Sequence, residues 1–389
     1  MHVLIIGNGI AGVTAARAIR QISDHRVTVI SDESPFFFSR PAMMYVSTGQ
    51  LSVEHVKPYG DAEWNALKIS VLHDSVISID AQAKSCVLAS GRTVAADAMI
   101  LATGSRPVLP VFEGIDAKTI LTYTRFEDIA RLDRAIEGSG VAAVVGGGLV
   151  GTEVAEILHA RRKPFTWFVR ESGVYRSHLQ QEESTMITSH IRSFGVNLHT
   201  GADGLDAGEL EYCNPVIFCT GVMPRKELAT TSHLACDTGI RVNERFETNV
   251  QGIYAIGDCA ETPWGIDQRW HSGKEHGAHV ARIVCGDTQP YRPSVFCNSA
   301  KFFDLEWQVF GNVPASGDGT IFKADPIAER SVRFACDESG ALTGLQTVGV
   351  RLRQSVCEDW IRRAISVDEA MRNFAEASFD PEFARRFDV

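Results

Sequence analysis

The 389-residue sequence has nine cysteines but no CxxC or CxxxxC pair, and none of the nine precedes Cys86. That excludes a zinc ribbon and a redox-active dithiol of the usual spacing. The odd count reads as reduced cytosolic thiols, so a cytoplasmic protein without a metal centre is expected. Positive charge is also in deficit: 38 Lys and Arg against 48 Asp and Glu leave a net charge of -10. This argues against nonspecific attraction to nucleic acid or to anionic lipid. No apolar run reaches the roughly 18 residues of a membrane span. The least charged stretch, Gly138 to Thr152, is broken repeatedly by glycine. The chain opens on a strand-like segment with no basic region, long apolar core and cleavage site, so no signal peptide is expected.

The chain is 44% hydrophobic and 22% charged, which suffices for two or three cores. Its 33 glycines are a modest excess, and their placement is informative. His2 to Ile6 reads as a buried strand, GNGIAG follows, Val13 to Ile22 reads as a helix, and Val27 to Ile30 as a second strand. The pattern recurs as Val141 to Val145, GGGLVG, a helix through about Ala160, and the strand Phe165 to Val169. Two such units imply two dinucleotides, or one cofactor and a degenerate copy. Further apolar strands run from Ala98 to Thr103 into Gly104, from Val216 to Thr220 into Gly221, and from Ile253 to Ile256 into Gly257 and Asp258. After about Gln289 the nucleotide turns stop. There Ser331 to Ala335 and Leu342 to Val350 predict a hairpin, and Cys357 to Ala364 and Val367 to Ala375 predict helices.

In GNGIAG, Gly7 permits the tight turn, Gly9 lets backbone amides approach a pyrophosphate, and Gly12 lets helix and strand pack closely. Asp32 and Glu33, about 20 residues on, are candidate acceptors for a ribose diol; Ser31 stands where the acid is expected, so either can serve. Gly146, Gly148 and Gly151 repeat the geometry, with Glu153 just inside the helix. Arg170 and Arg176 beyond the next strand suit a 2′-phosphate and favour NADPH over NADH, whereas Glu171 opposes a phosphate.

Taken together, GNGIAG, ILATGSRP (Ile100 to Pro107), GGGLVGTE (Gly146 to Glu153), CTGVMP (Cys219 to Pro224) and IYAIGDCAE (Ile253 to Glu261) resemble the FAD-dependent pyridine nucleotide-disulfide oxidoreductase superfamily. The resemblance spans roughly residues 1 to 290. It implies an α/β protein with two Rossmann-like domains and a C-terminal α+β interface domain: an FAD domain at 1–112 and 226–290, an NAD(P) domain at 113–225, and the interface domain at 291–389. Asp258 would contact the flavin's ribityl or pyrophosphate portion. Ser39, Arg40, Pro41, Val76, Ala102, Thr103, Gly104, Arg106 and Gly257 would line the FAD site, and Glu153 and Gly221 the nicotinamide region. The phrase from Trp270 to Gly277 is similar to the flavin-side segment of oxygenase-coupled ferredoxin and rubredoxin reductases. A helix N-terminus there would stabilise a reduced flavin. Trp270 is then a flavin contact or a core aromatic, and His271 a candidate for proton delivery.

The segment Phe38 to Met44 holds no cysteine, so a thiol relay is not expected. Its Ser-Arg-Pro triplet is similar to that of rubredoxin, ferredoxin and nitrite-reductase-type flavin modules. Many of these carry a lysine shortly after the proline; here Met43 and Met44 follow, leaving Arg40 or Glu153 to position the flavin's polar groups. The resemblance therefore implies hydride transfer from NADH or NADPH to flavin N5, then electron delivery to a small carrier such as rubredoxin or ferredoxin. Alternatives are direct reduction of nitrite, quinone or oxygen, and a redox sensor acting through assembly; a homodimer is left open. The C-terminal Arg362, Arg372, Arg385 and Arg386 read as a solvated face balanced by Asp359, Glu369, Glu376 and Glu382, with a docking site for acidic redox proteins as the alternative.

Overall fold

The computed structural model describes residues 1–110, 120–138, 140–202, 205, 207–315 and 319–379. The expected boundary at 112/113 and the tail residues Glu382, Arg385 and Arg386 lie outside these. The chain opens with β1 (His2–Ile6), α1 (Ile10–Ile22) and β2 (Arg26–Ser31), followed by β3 (Ile69–His73) and β4 (Ala98–Leu101). A second run comprises β5 (Val141–Val145), α2 (Leu149–Ala160), β6 (Phe165–Val169), α3 (Gln181–Ser193), β7 (Asn197–Thr200) and β8 (Cys213–Phe218). Then come β9 (Ile253–Ala255) and α4 (Trp270–Val284). Five more strands follow: β10 (Cys297–Phe302), β11 (Leu305–Gly311), β12 (Thr320–Asp325), β13 (Arg330–Cys336) and β14 (Leu342–Val348). The last helices are α5 (Gln354–Arg362), α6 (Val367–Arg372) and α7 (Phe374–Ala377). Among the described residues no helix is long and apolar enough to cross a membrane.

The chain forms two compact units. The first contains residues 1–108, 124–133 and 221–292. Its sheet has the order β9-β4-β1-β2-β3, all parallel. Both faces are covered, which is why Val3 to Ile6 of β1 and all of β4 are apolar. Val3 and Ile5 point to the helix side, with α1 and α4, whereas Leu4 and Ile6 join a core with Ile79, Cys86 and Leu88 of a small antiparallel sheet. The strand order reverses between β1 and β4, and a crevice at such a switch point is where doubly wound sheets bind ligands.

The second unit contains residues 109–123, 134–220 and 293–389. It repeats the parallel design in the order β7-β6-β5-β8, with the short strand Ile120–Leu121 beyond β8. Its C-terminal part is an antiparallel sheet in the order β10-β11-β14-β13-β12. One face packs Phe310, Val332, Phe334 and Leu345 against Cys357, Trp360 and Ala370 of α5 and α6. Residues 124–133, assigned by sequence to the nucleotide domain, join the first unit instead. Asp128 accepts the amides of Thr124 and Arg125, and the Phe126 amide donates to Glu33. In α5, Arg362 pairs with Glu358 one turn back at 3.2 Å, as a solvated helix face would.

Candidate active site

The two glycine turns are built alike. Gly7 has φ +114°, and a Cβ there would stand 2.1 Å from the Ala102 carbonyl oxygen at the end of β4. Gly146 has φ +124°, and its Cβ would stand 2.2 Å from the Cys219 carbonyl oxygen beyond β8. Only glycine fits either place, because the turn needs left-handed backbone and the neighbouring strand end leaves no room. A Cβ on Gly12 or Gly151 would lie 2.1 Å from the carbonyl oxygen of Gly7 or Gly146, so both helices start in direct contact with their own turns. Gly9 and Gly148 differ: each is the N-cap of its helix, with nothing within 4 Å of where a Cβ would lie. Neither helix has an acidic residue in its first turn or a side-chain cap. Each turn therefore offers open space beside helix amides, which fits a pyrophosphate.

Around the first turn, residues distant in sequence converge. Asn8 donates to the carbonyl oxygens of Ser34 (2.9 Å) and Phe36 (3.1 Å), tying the turn to the segment after β2. Glu33 takes a two-pronged bond from Arg40, Nη1 to Oε1 at 3.0 Å and Nη2 to Oε2 at 2.8 Å, and Oε1 also accepts the Phe126 amide. Against the upward push of burial, the Arg40 guanidinium and the Phe126 amide hold the Glu33 carboxyl below its usual range. A carboxylate has about four acceptor directions. Glu33 thus keeps one acceptor direction open on Oε2. Asp32 is about half exposed, with Arg125 at 3.7 Å. Arg40 further donates to the Thr124 carbonyl oxygen, so it serves chiefly to fix Glu33.

Beyond β4, Thr103 donates to the Arg225 carbonyl oxygen and Gly104 accepts the Arg225 amide, while Arg106 is paired with Glu227 at 2.8 Å. Ser105 donates to Asp258 at 2.7 Å. Burial pushes the Asp258 carboxyl up, opposed by that hydrogen bond and by the charge of Arg40. Asp258, Ser105, Arg40 and Glu33 thus belong to one crevice. Gly257 has φ +70°, and its amide donates at 3.2 Å to Nδ1 of buried His276 on α4, which burial keeps neutral by lowering its pKa to about 4. Ser39 donates its amide to Val56, Pro41 opens a short 3-10 turn, and Val76 starts a strand of the small antiparallel sheet.

α4 begins without a side-chain cap or an acid in its first turn. The indole nitrogen of Trp270 is buried and has no partner among the described residues, an unfilled donor beside that helix start. His271 is exposed, its ring edge-on to Trp270 at 5.3 Å. Gly277, expected on the flavin side, instead serves helix packing: its Cβ would meet the Ala11 carbonyl oxygen of α1 at 2.4 Å. Met43 and Met44 are buried, 2% and 6% exposed, so no cation follows Pro41 in this stretch.

In the second unit, Trp167 donates to the Gly146 carbonyl oxygen at 2.8 Å and supports the turn. Arg170 is paired with Glu171 at 2.8 Å. The Arg176 guanidinium donates through Nη1 to the carbonyl oxygens of Leu179 (2.7 Å) and Ala315 (3.3 Å) and through Nε to Gln181 (3.2 Å). Glu153 lies on α2 one turn beyond Gly148; burial pushes its carboxyl up to about 7, with Glu156 adding to the rise. Gly221, in the first unit, has φ +103° and open space around it.

The structure thus gathers Gly7, Gly9, Glu33, Arg40 and Asp258 in the first unit and Gly146, Gly148, Gly151 and Glu153 in the second. Sequence reasoning missed Asn8, Ser105, Phe126 and His276. Asn8, inside the glycine turn, could have been suspected; the others act across 93, 153 and 19 residues and leave no local signal.

The family description "Pyridine nucleotide-disulphide oxidoreductase" matches residues 1–281. The p-cumate 2,3-dioxygenase system ferredoxin–NAD(+) reductase component of Pseudomonas putida is 28% identical over 385 residues, covering 94% of each chain. The rubredoxin-NAD(+) reductase of Ectopseudomonas oleovorans is 28% identical over 314 residues, 75% of this chain and 81% of that one. The NADH:rubredoxin oxidoreductase of Clostridium acetobutylicum superposes with a TM-score of 0.79 at 21% identity, over 96% of this chain and 99% of that one, a likeness of fold.

Proposed function

The chain belongs to the pyridine nucleotide-disulphide oxidoreductase family, and from that premise we propose an FAD-dependent NADH:acceptor oxidoreductase that delivers electrons to a small carrier of the ferredoxin or rubredoxin kind. The observation that carries this reading is the duplicated turn: two glycine-rich strand ends, each with an open cradle beside an uncapped helix start. The relatives are named as ferredoxin and rubredoxin reductases acting with NAD(+), and no cysteine stands at Phe38 to Met44 for a thiol relay.

FAD, when bound, supplies the change from two-electron to one-electron chemistry, taking hydride from a nicotinamide and giving electrons to a carrier. The chain's own residues bind and orient. In this reading the amides at Gly9 and the start of α1 hold the FAD pyrophosphate, and the remaining acceptor direction of Glu33 takes a ribose hydroxyl. Arg40 keeps Glu33 ionised and fixed. Asp258 faces the ribityl or pyrophosphate portion, and the indole N–H of Trp270 and the start of α4 are donors for the ring system. The turn at Gly148 holds the second pyrophosphate, and Glu153 faces the nicotinamide. The division into an FAD domain, a nucleotide domain and a C-terminal interface domain follows from the same reading.

NADH, rather than the NADPH favoured by the arginine count, is the reductant in this proposal. Glu171 already neutralises Arg170 and would repel a 2′-phosphate, and Arg176 is held by two backbone carbonyls and a glutamine. Anaerobic mixing of the purified flavoprotein with NADH should bleach its yellow absorption at far lower concentration than NADPH. Equal response to both would overturn the selectivity, and no response to either would overturn the function.

A further inference from the structure

Helix α2 carries Glu153 and, one turn later, Glu156 on the same face. Glu156 has one oxygen, Oε1, 3.1 Å from Nζ of Lys301, and the other, Oε2, buried without a hydrogen-bond partner among the described residues. Lys301 lies on β10, in the C-terminal antiparallel sheet, so the part of the chain with no nucleotide turn of its own supplies the counter-charge to the nucleotide-binding helix. Burial pushes the Glu156 carboxyl up, opposed by the hydrogen bond and charge of Lys301 on β10 and by His159 of its own helix, while Asp304 in the turn after β10 adds to the rise; Glu156 in turn bears on Glu153. Glu153 is faced by Glu156 and by the Cys219 thiol, which burial pushes well up and so keeps neutral. Among the described residues no cation bears on Glu153 directly.

We propose that Lys301 is a positioning residue for the nucleotide site: through its ion pair with Glu156, it sets how many protons the Glu153–Glu156 pair carries when a nicotinamide binds. Two carboxyls this close on one helix face titrate as a pair, so a cation on one of them governs both. With Lys301 in place the pair surrenders a proton near neutral pH. Without it, the buried oxygen of Glu156 has no compensation, and the pair retains that proton to higher pH. The positively charged nicotinamide of NAD(+) favours the ionised form of Glu153, so its binding releases protons. The inference rests on the reading of Glu153 as the nicotinamide-side carboxylate.

The test is isothermal titration calorimetry of NAD(+) into the oxidised holoenzyme, in buffers of different ionisation enthalpy, from pH 5.5 to 9 in roughly half-unit steps, a span about 1.5 to 2 units either side of neutrality that covers the transition expected for a raised carboxyl and its upward shift. The number of protons released is read at each pH. Wild type should release protons with a maximum near neutrality. In Lys301→Met the maximum should move up by about half a pH unit or more, Lys301→Arg should restore the wild-type profile, and Glu153→Gln should abolish the release. Lys301 is partly exposed, so its replacement leaves the core intact. A Lys301→Met profile that superposes on wild type while Glu153→Gln loses the release would overturn the inference alone. Release that persists in Glu153→Gln, or is absent from wild type, would overturn the reading of Glu153 and the inference with it.

Discussion

Arg333 on β13 is 3% exposed and grips Glu183 of α3, itself 1% exposed, through Nε to Oε1 at 2.6 Å and Nη2 to Oε2 at 3.0 Å. Nη2 also reaches Glu182 at 3.1 Å, Nη1 reaches Thr320 at 3.1 Å, and the guanidinium lies 4.4 Å from the Phe322 ring centre. The C-terminal sheet is thereby fastened to a helix of the nucleotide-binding part within the second unit. Removing one partner strands a buried charge, which costs about 3–5 kcal/mol, whereas replacing both by apolar groups of similar size is often neutral. For a unit of this size about 2–4 °C of melting temperature corresponds to each kcal/mol, so Arg333→Met should melt roughly 6–20 °C below wild type. The double variant Arg333→Met/Glu183→Met should regain most of that loss, with Glu182 remaining in solvent. Calorimetric melts of wild type, both single variants and the double variant give the coupling directly. A single variant that loses less than about 1 kcal/mol, or a double variant no better than the worse single, would refute the reasoning.

Four further outcomes follow from the site. Glu153, with a carboxyl raised from 4.5 to about 7, disfavours the folded state increasingly as pH rises through that window. In nucleotide-free protein Glu153→Gln should match wild type near pH 4 and exceed it by about 3 kcal/mol at pH 8, read by urea melts. His276 is depressed from 6.5 to about 4, so the stability it contributes is present above 6.5 and lost as pH falls towards 4. His276→Ala should be weaker at pH 8 by about 1–3 kcal/mol through the unpaired Gly257 amide, yet lose the wild-type sensitivity to acid, read as flavin release against pH. Gly12→Ala places a Cβ 2.1 Å from the Gly7 carbonyl oxygen and should yield flavin-free protein with a lowered melt. Gly9→Ala meets nothing within 4 Å and should lose flavin while the flavin-free fold melts normally.

Much of the fold was legible because its strands are buried on both faces and their ends are marked by glycine. His2–Ile6, Val141–Val145 and Phe165–Val169 have the bounds read from the apolar runs. Helix α1 begins at Ile10, three residues ahead of the apolar run, because the turn continues straight into helix without a capping side chain. The hairpin of β13 and β14 was visible from its alternation and its turn; its neighbours β10, β11 and β12 were not. Their polar positions answer to partners elsewhere in the chain, as Lys301 of β10 does to Glu156. The glycines of both turns carry their meaning locally. Glu33 and Asp32 could not be told apart by position; the structure separates them through Arg40 and Phe126. That Arg176 donates to the Leu179 carbonyl oxygen was not legible in the sequence.

The central claim is that NADH electrons leave one at a time to a small carrier. The most direct measurement supplies catalytic amounts of the flavoprotein with limiting NADH and excess oxidised rubredoxin or ferredoxin, without oxygen, and follows the carrier's spectrum. Multiple turnovers are expected, with two carriers reduced for each NADH consumed. A flavoprotein that is bleached by NADH but leaves both carriers oxidised would contradict the claim.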